Sequence, residues 1–465
     1  MQILKNIFSD IFKKPSLYLF VVIIIFSVDR CQRWVNFEKD NFPFVYDVDQ
    51  YYSYLPAAFI YHDLSFSYPH AYWTTKLENG NSIPKVTIGM AIMYSPFFFI
   101  GDLIAKNSSY KADGYSLPYK WSIHFGSILF SLFGLWFCRK NLLHFFCERV
   151  TLITLICIYF GTNLFYYTYG FGEMPHAYLF FIFSLFIYFV LKWHKNRDVK
   201  SFLIFTFLAG FSTLIRPTEC MILLFPLLLG VKNSKDIKER IQIFLSYKFK
   251  LLFAFLLFIF PFFLQMLYWK VYAGQWLFFS YGKERFFFGD PQIINFLFSF
   301  RKGWLIYTPI MLFAVVGIIL LRKKAADLFI FTILYFILNI YLLSCWWDWP
   351  FGGSFGCRPL IQHYAFFAFA FAAFLNWYFE IFKTKLILNV AMQFILFVIF
   401  YLMINLNFDQ SWLYKYAIIP SDGLTKEAYF YILGKEKFTI SDSAEFRKQK
   451  RVIVNREEML NGKRD

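Results

Sequence analysis

Apolar runs that are long enough to cross a lipid bilayer recur along most of this chain, and no other feature constrains its fold as strongly. A hydrocarbon core roughly 30 Å thick requires about 20 residues of helix. Because lipid offers no hydrogen-bond partner to a bare backbone, such runs must form helices. Hydrophobic residues make up 58% of the sequence, which is well above the usual share in a soluble domain. The sequence therefore predicts an all-α polytopic membrane protein.

Basic residues before the first apolar run predict the orientation of the chain. Lys5, Lys13 and Lys14 precede the run at 17–28, and positive residues favour the cytoplasmic side of a membrane. The run ends in "DRCQRW", which lacks the small residues of a signal-peptide cleavage site. We therefore expect a retained first helix, a cytoplasmic N-terminus and a first extracytoplasmic loop at 30–119.

The apolar stretch at 86–105 determines how the later loops are oriented. A span there would place Arg139, Lys140 and Arg149 outside and invert every later loop, so we predict an amphipathic surface helix instead. The sequence therefore predicts a transmembrane domain at 1–405 and an extracytoplasmic tail at 406–465. With the first run, we expect about 11 transmembrane helices. The others lie near 120–138, 149–168, 175–192, 200–214, 216–231, 249–270, 303–321, 327–345, 360–382 and 385–405.

The formal net charge of +17 raises the question of nucleic-acid binding. The Lys and Arg residues lie in short clusters between apolar runs rather than along one face. Membrane orientation explains this distribution, so the lipid bilayer is an expected partner and nucleic acid is not.

The stretch "VYDVDQYYSY" at 45–54 places two carboxylates, Asp47 and Asp49, near the start of the first outer loop. Asp47 followed by Gln50 has the spacing of a helix capping box. On a helix the two carboxylates would point about 200° apart, so only one easily faces a given substrate atom. Asp47 is therefore either a helix cap or a catalytic base.

Other costly polar residues collect on the same predicted side. A charge within a span costs roughly 3 kcal/mol, so Arg216 and Glu219 need an explanation. Arg216 either extends to the membrane surface or precedes a helix that starts at Pro217. The stretch "CWWDWPFGGSFGCRPL" at 345–360 is either an aromatic interface belt with a flexible turn or a backbone surface for a ligand. The same side also carries Asp63, Lys85, Glu173, His176, Arg301, Lys302, Asp348 and Arg358.

These motifs, in this order, resemble the GT-C superfamily of polytopic glycosyltransferases, in particular protein O-mannosyltransferases and bacterial aminoarabinose transferases. Asp47 with Tyr51 is similar to the acidic Asp-Glu-x-x-Tyr motif of the first outer loop, although Val48 stands where a second acid often follows. "HDLSF" with Asp63 and "PKVTIG" with Lys85 resemble the next two landmarks. The resemblance covers most of residues 15–405. Its later landmarks are "EMPHA", "RPTE", "FSFRKGWLIYTP" and "WWDWPFGGSFGCRP".

The resemblance implies a GT-C-like fold and sugar transfer, with inversion, from a polyprenyl-phosphate-linked donor. The acceptor would be a hydroxyl or amine of a glycan, lipid or protein outside a bacterial-type inner (plasma) membrane. Phosphate is a good leaving group, so one carboxylate base and a cationic clamp suffice. Asp47 is the expected base, with Asp49 as a second catalytic carboxylate or as a partner in holding a divalent cation; no other cofactor is expected, and metal dependence stays open.

Two sets of binding residues complete this expectation. The donor-phosphate-binding residues would be Lys85, Arg216, Arg301, Lys302 and Arg358. The substrate-binding residues would be Tyr51, Tyr52, Asp63, Glu173, His176, Glu219, Trp346 and Trp349. The competing functional class is a transporter or flippase of a lipid-linked sugar or another amphiphile, for which the sequence offers no clear internal repeat.

Overall fold

The protein is an almost entirely helical chain. The computed structural model describes residues 14–34, 43–68, 70, 73–381, 383, 386–433, 435 and 455–464. Its α-helices are Tyr18–Trp34, Tyr46–Tyr52, Tyr54–Phe59, Gly89–Lys106, Leu117–Leu142, Glu148–Phe160, Tyr166–Tyr169, Pro175–Asn196, Val199–Ile215, Leu224–Leu228, Ser234–Ser246, Phe249–Tyr272, Ile293–Phe298, Trp304–Tyr307, Leu312–Lys324, Ala326–Ser344, Tyr364–Ile381, Leu386–Lys415, Lys426–Ile432 and Arg456–Leu460. Short 3₁₀ helices cover Pro15–Leu17, Pro217–Leu223, Pro309–Met311 and Arg358–Leu360. One β-hairpin, in which Thr74–Lys76 pairs antiparallel with Ser82–Pro84, is the whole sheet content of the described residues.

Six of the described helices are long and apolar enough to cross a membrane, which confirms the all-α membrane class. They are Leu117–Leu142, Pro175–Asn196, Phe249–Tyr272, Ala326–Ser344, Tyr364–Ile381 and Leu386–Lys415. Few side chains in the apolar stretches of Phe249–Tyr272 and Leu386–Lys415 are buried inside the protein, as lipid contact requires. The expectation of about 11 spans is not confirmed.

Proline residues account for two of the differences. The predicted span at 216–231 is a 3₁₀ helix that starts at Pro217, followed by the short helix Leu224–Leu228. The predicted span at 303–321 is interrupted at Thr308, immediately before Pro309. Proline lacks an N–H donor and disfavours helical geometry in the residue before it, which accounts for the break at Thr308 and for the extended Arg216 before Pro217.

Two further predictions concern the stretch at 86–105 and the domain boundary at 405. The stretch predicted as a surface helix at 86–105 forms helix Gly89–Lys106, which is not among the six membrane-crossing candidates. Its position on the outer surface remains a prediction. The helix that begins at Leu386 continues past the predicted domain boundary at 405 and ends at Lys415. Most of the basic stretch "RKQKRVIVNREE" of the predicted tail lies outside the described residues.

Contacts divide the chain into two compact units. The first unit comprises Met1–Phe26, Cys138–Tyr166 and Lys283–Asp465. Within it, helices Leu312–Lys324 and Tyr364–Ile381 pack so closely that a Cβ at Gly317 would overlap the Ala370 carbonyl. Small residues of this kind allow close helix packing inside membranes.

The second unit comprises Ser27–Phe137 and Tyr167–Gly282. Within it, helix Val199–Ile215 packs against Pro175–Asn196 and Phe249–Tyr272. At Gly210 a Cβ would overlap the Phe258 carbonyl, so the packing principle is the same in both units.

Candidate functional site

The acidic motif of the second unit forms helix Tyr46–Tyr52, hereafter the acidic helix. It begins after the extended residue Val45, which is its N-cap and makes no side-chain capping hydrogen bond. The capping-box interpretation of Asp47 is therefore wrong, because this residue lies inside the first turn. Gln50 Oε1 instead accepts a hydrogen bond from the Lys85 backbone N–H at 2.9 Å, which ties the acidic helix to the segment that leads into helix Gly89–Lys106.

The two carboxylates of the acidic helix lie in different environments. Asp47 is half-buried, whereas the Asp49 residue is only 2% exposed. Burial raises the pKa of Asp49 to about 7, and a hydrogen bond with the Trp73 backbone opposes this shift. Asp49 is therefore a carboxyl group that exchanges a proton near neutral pH, which suits a general base.

Phenol groups surround the Asp49 carboxyl. The Tyr68 hydroxyl lies 3.1 Å from that of Tyr115, and the Tyr52 hydroxyl donates to the Gly114 carbonyl. Burial raises the pKa of each of these tyrosines, and the charge of Asp49 raises it further. These phenols stay protonated at neutral pH, and the Tyr52 and Tyr68 hydroxyls donate to the backbone carbonyls of Gly114 and Ser53. Tyr52 was among the predicted residues, whereas Tyr68 and Tyr115 carried no motif that pointed to them.

Asp63 and Lys85, the next two predicted residues, have different roles in the loop. The Asp63 carboxylate accepts hydrogen bonds from the backbone N–H groups of Ser65 and Ser67, at 2.9 and 2.8 Å. Burial acts to raise the Asp63 pKa, but these hydrogen bonds outweigh it and lower the pKa. The carboxylate therefore stabilises its own turn. The Lys85 ammonium lies 4.7 Å from the centre of the Tyr281 ring.

Glu173 forms a fully buried pair with a histidine that the sequence motifs did not identify. Its Oε1 atom lies 2.7 Å from Nδ1 of His124, which belongs to the membrane-crossing candidate Leu117–Leu142. The ring of His176 is also buried and makes an edge contact with the Tyr167 ring at 5.2 Å. Tyr51, in the acidic helix, is buried as well.

Arg216 and Glu219 follow the second of the two alternatives from the sequence. Arg216 is extended, the 3₁₀ helix starts at Pro217, and Glu219 lies in its first turn. The two side chains form an ion pair at 3.8 Å, in which Glu219 is buried. Glu219 thus lies near the positive end of this helical turn.

Metal ligation receives no support from the described residues. They contain no group of three or more His, Cys, Asp or Glu side chains that could hold a metal ion. Asp47 and Asp49, the predicted metal partners, also differ in burial. The described residues therefore do not fit a metal centre.

The first unit brings three of the five predicted phosphate-binding residues together. Arg301 and Lys302 are buried, Arg358 is half-buried, and the charges of both arginines act on Lys302. A fourth cation, Arg456, lies close to Asp348, since both side chains would contact a Cβ at Gly352. We call these four residues the cationic cluster. The other two predicted phosphate ligands, Lys85 and Arg216, belong to the second unit.

Two carboxylates accompany the cationic cluster. Arg301 donates to both oxygens of Asp422, with Nε–Oδ1 at 2.6 Å and Nη2–Oδ2 at 3.0 Å. Burial acts to raise the pKa of Asp422, but Arg301 lowers it below its usual value. Burial raises the pKa of Asp348, and Arg456 opposes this shift. Four cations against two carboxylates leave the cluster with an excess of positive charge, which suits an anion such as phosphate.

Lys302 is the most perturbed member of the cationic cluster. Its ammonium group donates to the Ser354 carbonyl and lies 5.2 Å from the centre of the Tyr414 ring. Burial lowers the pKa of Lys302 to about 7, although Asp422 acts in the opposite direction. The side chain therefore changes charge near neutral pH.

The loop at 345–360 presents its backbone to the cluster rather than its tryptophans to lipid. Trp347 and Trp349 are buried, so the interface-belt interpretation is wrong for these two residues. The half-buried Trp346 contacts the ring of Phe286 at 4.7 Å. Gly356 has a φ of +58°, and a Cβ there would lie 2.9 Å from that of Tyr307. This glycine therefore lets the loop approach Tyr307 closely.

A distant segment of the chain also belongs to this part of the first unit. The guanidinium of Arg464 donates to the carbonyls of Cys345 and Trp346, at 3.1 and 3.2 Å, and pairs with Asp290 at 2.8 Å. Trp349 Nε1 donates to the Arg464 carbonyl at 2.9 Å. Sequence reasoning missed Arg456, Arg464 and Asp422, since no local pattern connects them to the loop that they contact.

Comparison with known proteins adds no relative to this geometry. No protein-family profile matches the chain, and no curated protein sequence matches it.

Proposed function

We propose that the protein is a membrane glycosyltransferase that moves a sugar from a polyprenyl-phosphate-linked donor to a hydroxyl or amine acceptor. The reaction takes place on the extracytoplasmic face and inverts the anomeric centre. The observation that carries the proposal is Asp49, a buried carboxyl group with its pKa raised by burial to about 7. A general base works best when its pKa lies near the working pH.

The chemistry assigned to Asp49 is a single displacement. Its carboxylate takes the proton from the acceptor hydroxyl while the acceptor oxygen bonds to the anomeric carbon. The bond between that carbon and the phosphate oxygen breaks, and its electron pair leaves with the lipid phosphate. Attack from the face opposite the leaving group accounts for inversion. Asp49 replaces Asp47 as the preferred base because Asp47 is only half-buried.

The cationic cluster supports the donor half of the proposal. Cations in a buried site bind a phosphate group through charge-assisted hydrogen bonds. Within the first unit, Lys302 and Arg358 are the members assigned to phosphate binding. The exposed apolar helices suit contact with a bilayer and with the lipid tail of the donor.

The experiment compares two matched substitutions on the acidic helix. Lipid-linked sugars and surface glycans are measured by mass spectrometry in cells that produce the wild type, Asp49→Asn or Asp47→Asn at equal levels. We expect Asp49→Asn to reduce transfer about 100-fold or more, which is typical for the loss of a general base. Asp47→Asn should keep most of the activity. Because Asp49→Asn removes a charge that burial disfavours, we expect it to fold.

Two results would contradict this assignment. Full transfer by Asp49→Asn would remove Asp49 as the base, and loss of transfer only in Asp47→Asn would move that role to Asp47. Loss of lipid-linked sugar from one leaflet without any glycosylated product would contradict the transferase itself.

The buried Glu173–His124 pair favours one alternative function. Ionisable pairs inside membrane helices often belong to proton relays in transporters. A proton-driven transporter or flippase of a lipid-linked sugar would use such a pair. If the protein is such a transporter, the wild type should move a fluorescent lipid-linked sugar across the membrane of proteoliposomes, and Glu173→Gln should stop this movement. If the protein is a transferase, the wild type should show no such movement.

A further inference from the structure

Helix Ser234–Ser246 of the second unit precedes the membrane-crossing candidate Phe249–Tyr272. Its start is fixed locally by a capping box. Asn233 accepts hydrogen bonds from the backbone N–H groups of Lys235 and Asp236, and Asp236 accepts from that of Asn233 at 3.1 Å. The helix therefore forms through its own sequence, and its faces can be assigned.

One face of helix Ser234–Ser246 is attached to the protein. The buried Arg240 donates to the carbonyls of Pro226 and Leu229, at 3.0 and 2.7 Å. The ring of Phe244 stacks on that of Trp193 at 5.2 Å, with 9° between the ring planes. These contacts fix the rotation of the helix about its axis within the second unit.

A second face of the helix is apolar and exposed. Ile241 is 44% exposed and Leu245, one helical turn later, is 61% exposed. Lys248 then turns the chain with a φ of +46° into the next helix, in which the first residue, Phe249, is 86% exposed. The apolar stripe of the short helix thus continues into the apolar surface of a helix that is expected to lie in lipid.

Positive charge borders this stripe. Five lysines, at positions 232, 235, 238, 248 and 250, stand against two carboxylates, Asp236 and Glu239. The Asp236 carboxylate is already held by backbone N–H groups. At about 100° per residue, Lys238 lies within about 20° of Leu245 around the helix axis, two turns earlier, and so precedes the stripe on the same face. Exposed apolar residues flanked by lysines are typical of helices that lie in a membrane interface.

We propose that helix Ser234–Ser246 is a membrane-surface helix that inserts Ile241 and Leu245 at the headgroup–acyl boundary and binds anionic lipid headgroups through its lysines. The bilayer is the occupant of the apolar stripe because the stripe is continuous with a membrane-crossing helix. The excess of lysines selects anionic lipid. This binding surface is independent of sugar transfer and of the residues assigned to it.

Fluorescent labels on two sides of helix Ser234–Ser246 test its position relative to the membrane surface. Leu245→Cys and the control Glu239→Cys, which points about 120° away, are labelled in the full chain in a background without Cys31, Cys147 and Cys220. In nanodiscs that contain phosphatidylglycerol, we expect nitroxide-bearing lipid to quench the Leu245 label and aqueous iodide to quench the Glu239 label. Equal iodide quenching at both positions would overturn the proposal. Shielding of the Leu245 label from both quenchers would also overturn it, because a protein surface would then be the occupant.

Neutralised lysines test the lipid preference. We expect nitroxide-labelled phosphatidylglycerol to quench the fluorescent label at Leu245→Cys more strongly than nitroxide-labelled phosphatidylcholine does at equal mole fraction. Because one lysine at an anionic surface changes local partitioning by roughly fivefold, Lys235→Gln with Lys238→Gln should remove most of that difference. The matched substitution Glu239→Gln should preserve or increase the preference. Equal quenching by the two lipids in the otherwise unchanged chain would overturn the anionic-lipid assignment.

Discussion

At the residue scale, Lys302 yields a prediction about pH because its charge changes near neutrality. Burial lowers the pKa of its ammonium group to about 7, against the opposing effect of Asp422. A bound anion favours the protonated form, so above pH 7 binding must also take up a proton. We expect the Kd for farnesyl phosphate, a short-chain polyprenyl phosphate, to rise above pH 7 by up to about tenfold per pH unit. Isothermal titration calorimetry measures this dependence.

Lys302→Arg is the matched control for that measurement. Arginine keeps its charge at every pH used, so binding to this variant should change little between pH 7 and 9. Proton uptake, obtained from titrations in buffers with different ionisation enthalpies, should disappear in the variant. A wild-type affinity that is independent of pH would show that Lys302 does not contact the anion.

The acidic helix shows what sequence can and cannot establish about single residues. The helical period separates Asp47 from Asp49 without any knowledge of the fold. Which of the two is buried depends on Tyr68 and Tyr115, which come from later segments of the loop. Long-range packing therefore decides the pKa, and the motif in the sequence favoured Asp47.

At the scale of elements, segment 455–464 is held in place chiefly by Arg464. Removal of its hydrogen bonds to the Cys345 and Trp346 carbonyls should destabilise the segment locally by about 2 kcal/mol. We expect Arg464→Gln to accelerate hydrogen exchange in helix Arg456–Leu460, as measured by mass spectrometry. Because Arg456 moves with this segment, the affinity of the cationic cluster for farnesyl phosphate should fall as well.

Arg456→Gln separates these two effects. It leaves the Arg464 contacts intact, so hydrogen exchange in the segment should stay close to that of the wild type. Anion affinity should nevertheless fall, because one cation is lost. Unchanged exchange in Arg464→Gln would show that other contacts hold the segment.

Helix boundaries were predictable where the cause is local and unpredictable where it is not. Pro309 interrupts the predicted span at 303–321, and that interruption could have been inferred from the effect of proline on the residue before it. The contact between Arg464 and the loop at 345–360 joins segments far apart in sequence, and no periodicity indicates it.

At the scale of the whole molecule, the sequence was sufficient for the membrane class because lipid leaves a backbone few alternatives. It was insufficient for the number of spans, since hydrophobicity does not distinguish lipid-exposed from internally packed apolar segments. Helix Glu148–Phe160 is largely buried and ends early, although it lies in an apolar run that was predicted as a span.

The orientation of the molecule remains the prediction that all extracytoplasmic assignments depend on. Exposed positions in two segments test it: Glu78→Cys in the β-hairpin of the first outer loop, and Lys323→Cys at the end of helix Leu312–Lys324. Because basic clusters favour the cytoplasm, a membrane-impermeant maleimide should label Glu78→Cys in intact cells and leave Lys323→Cys unlabelled. Both should react after permeabilisation, which controls for accessibility. The reverse pattern in intact cells would place the acidic helix in the cytoplasm, where its carboxylates would meet a different set of acceptors.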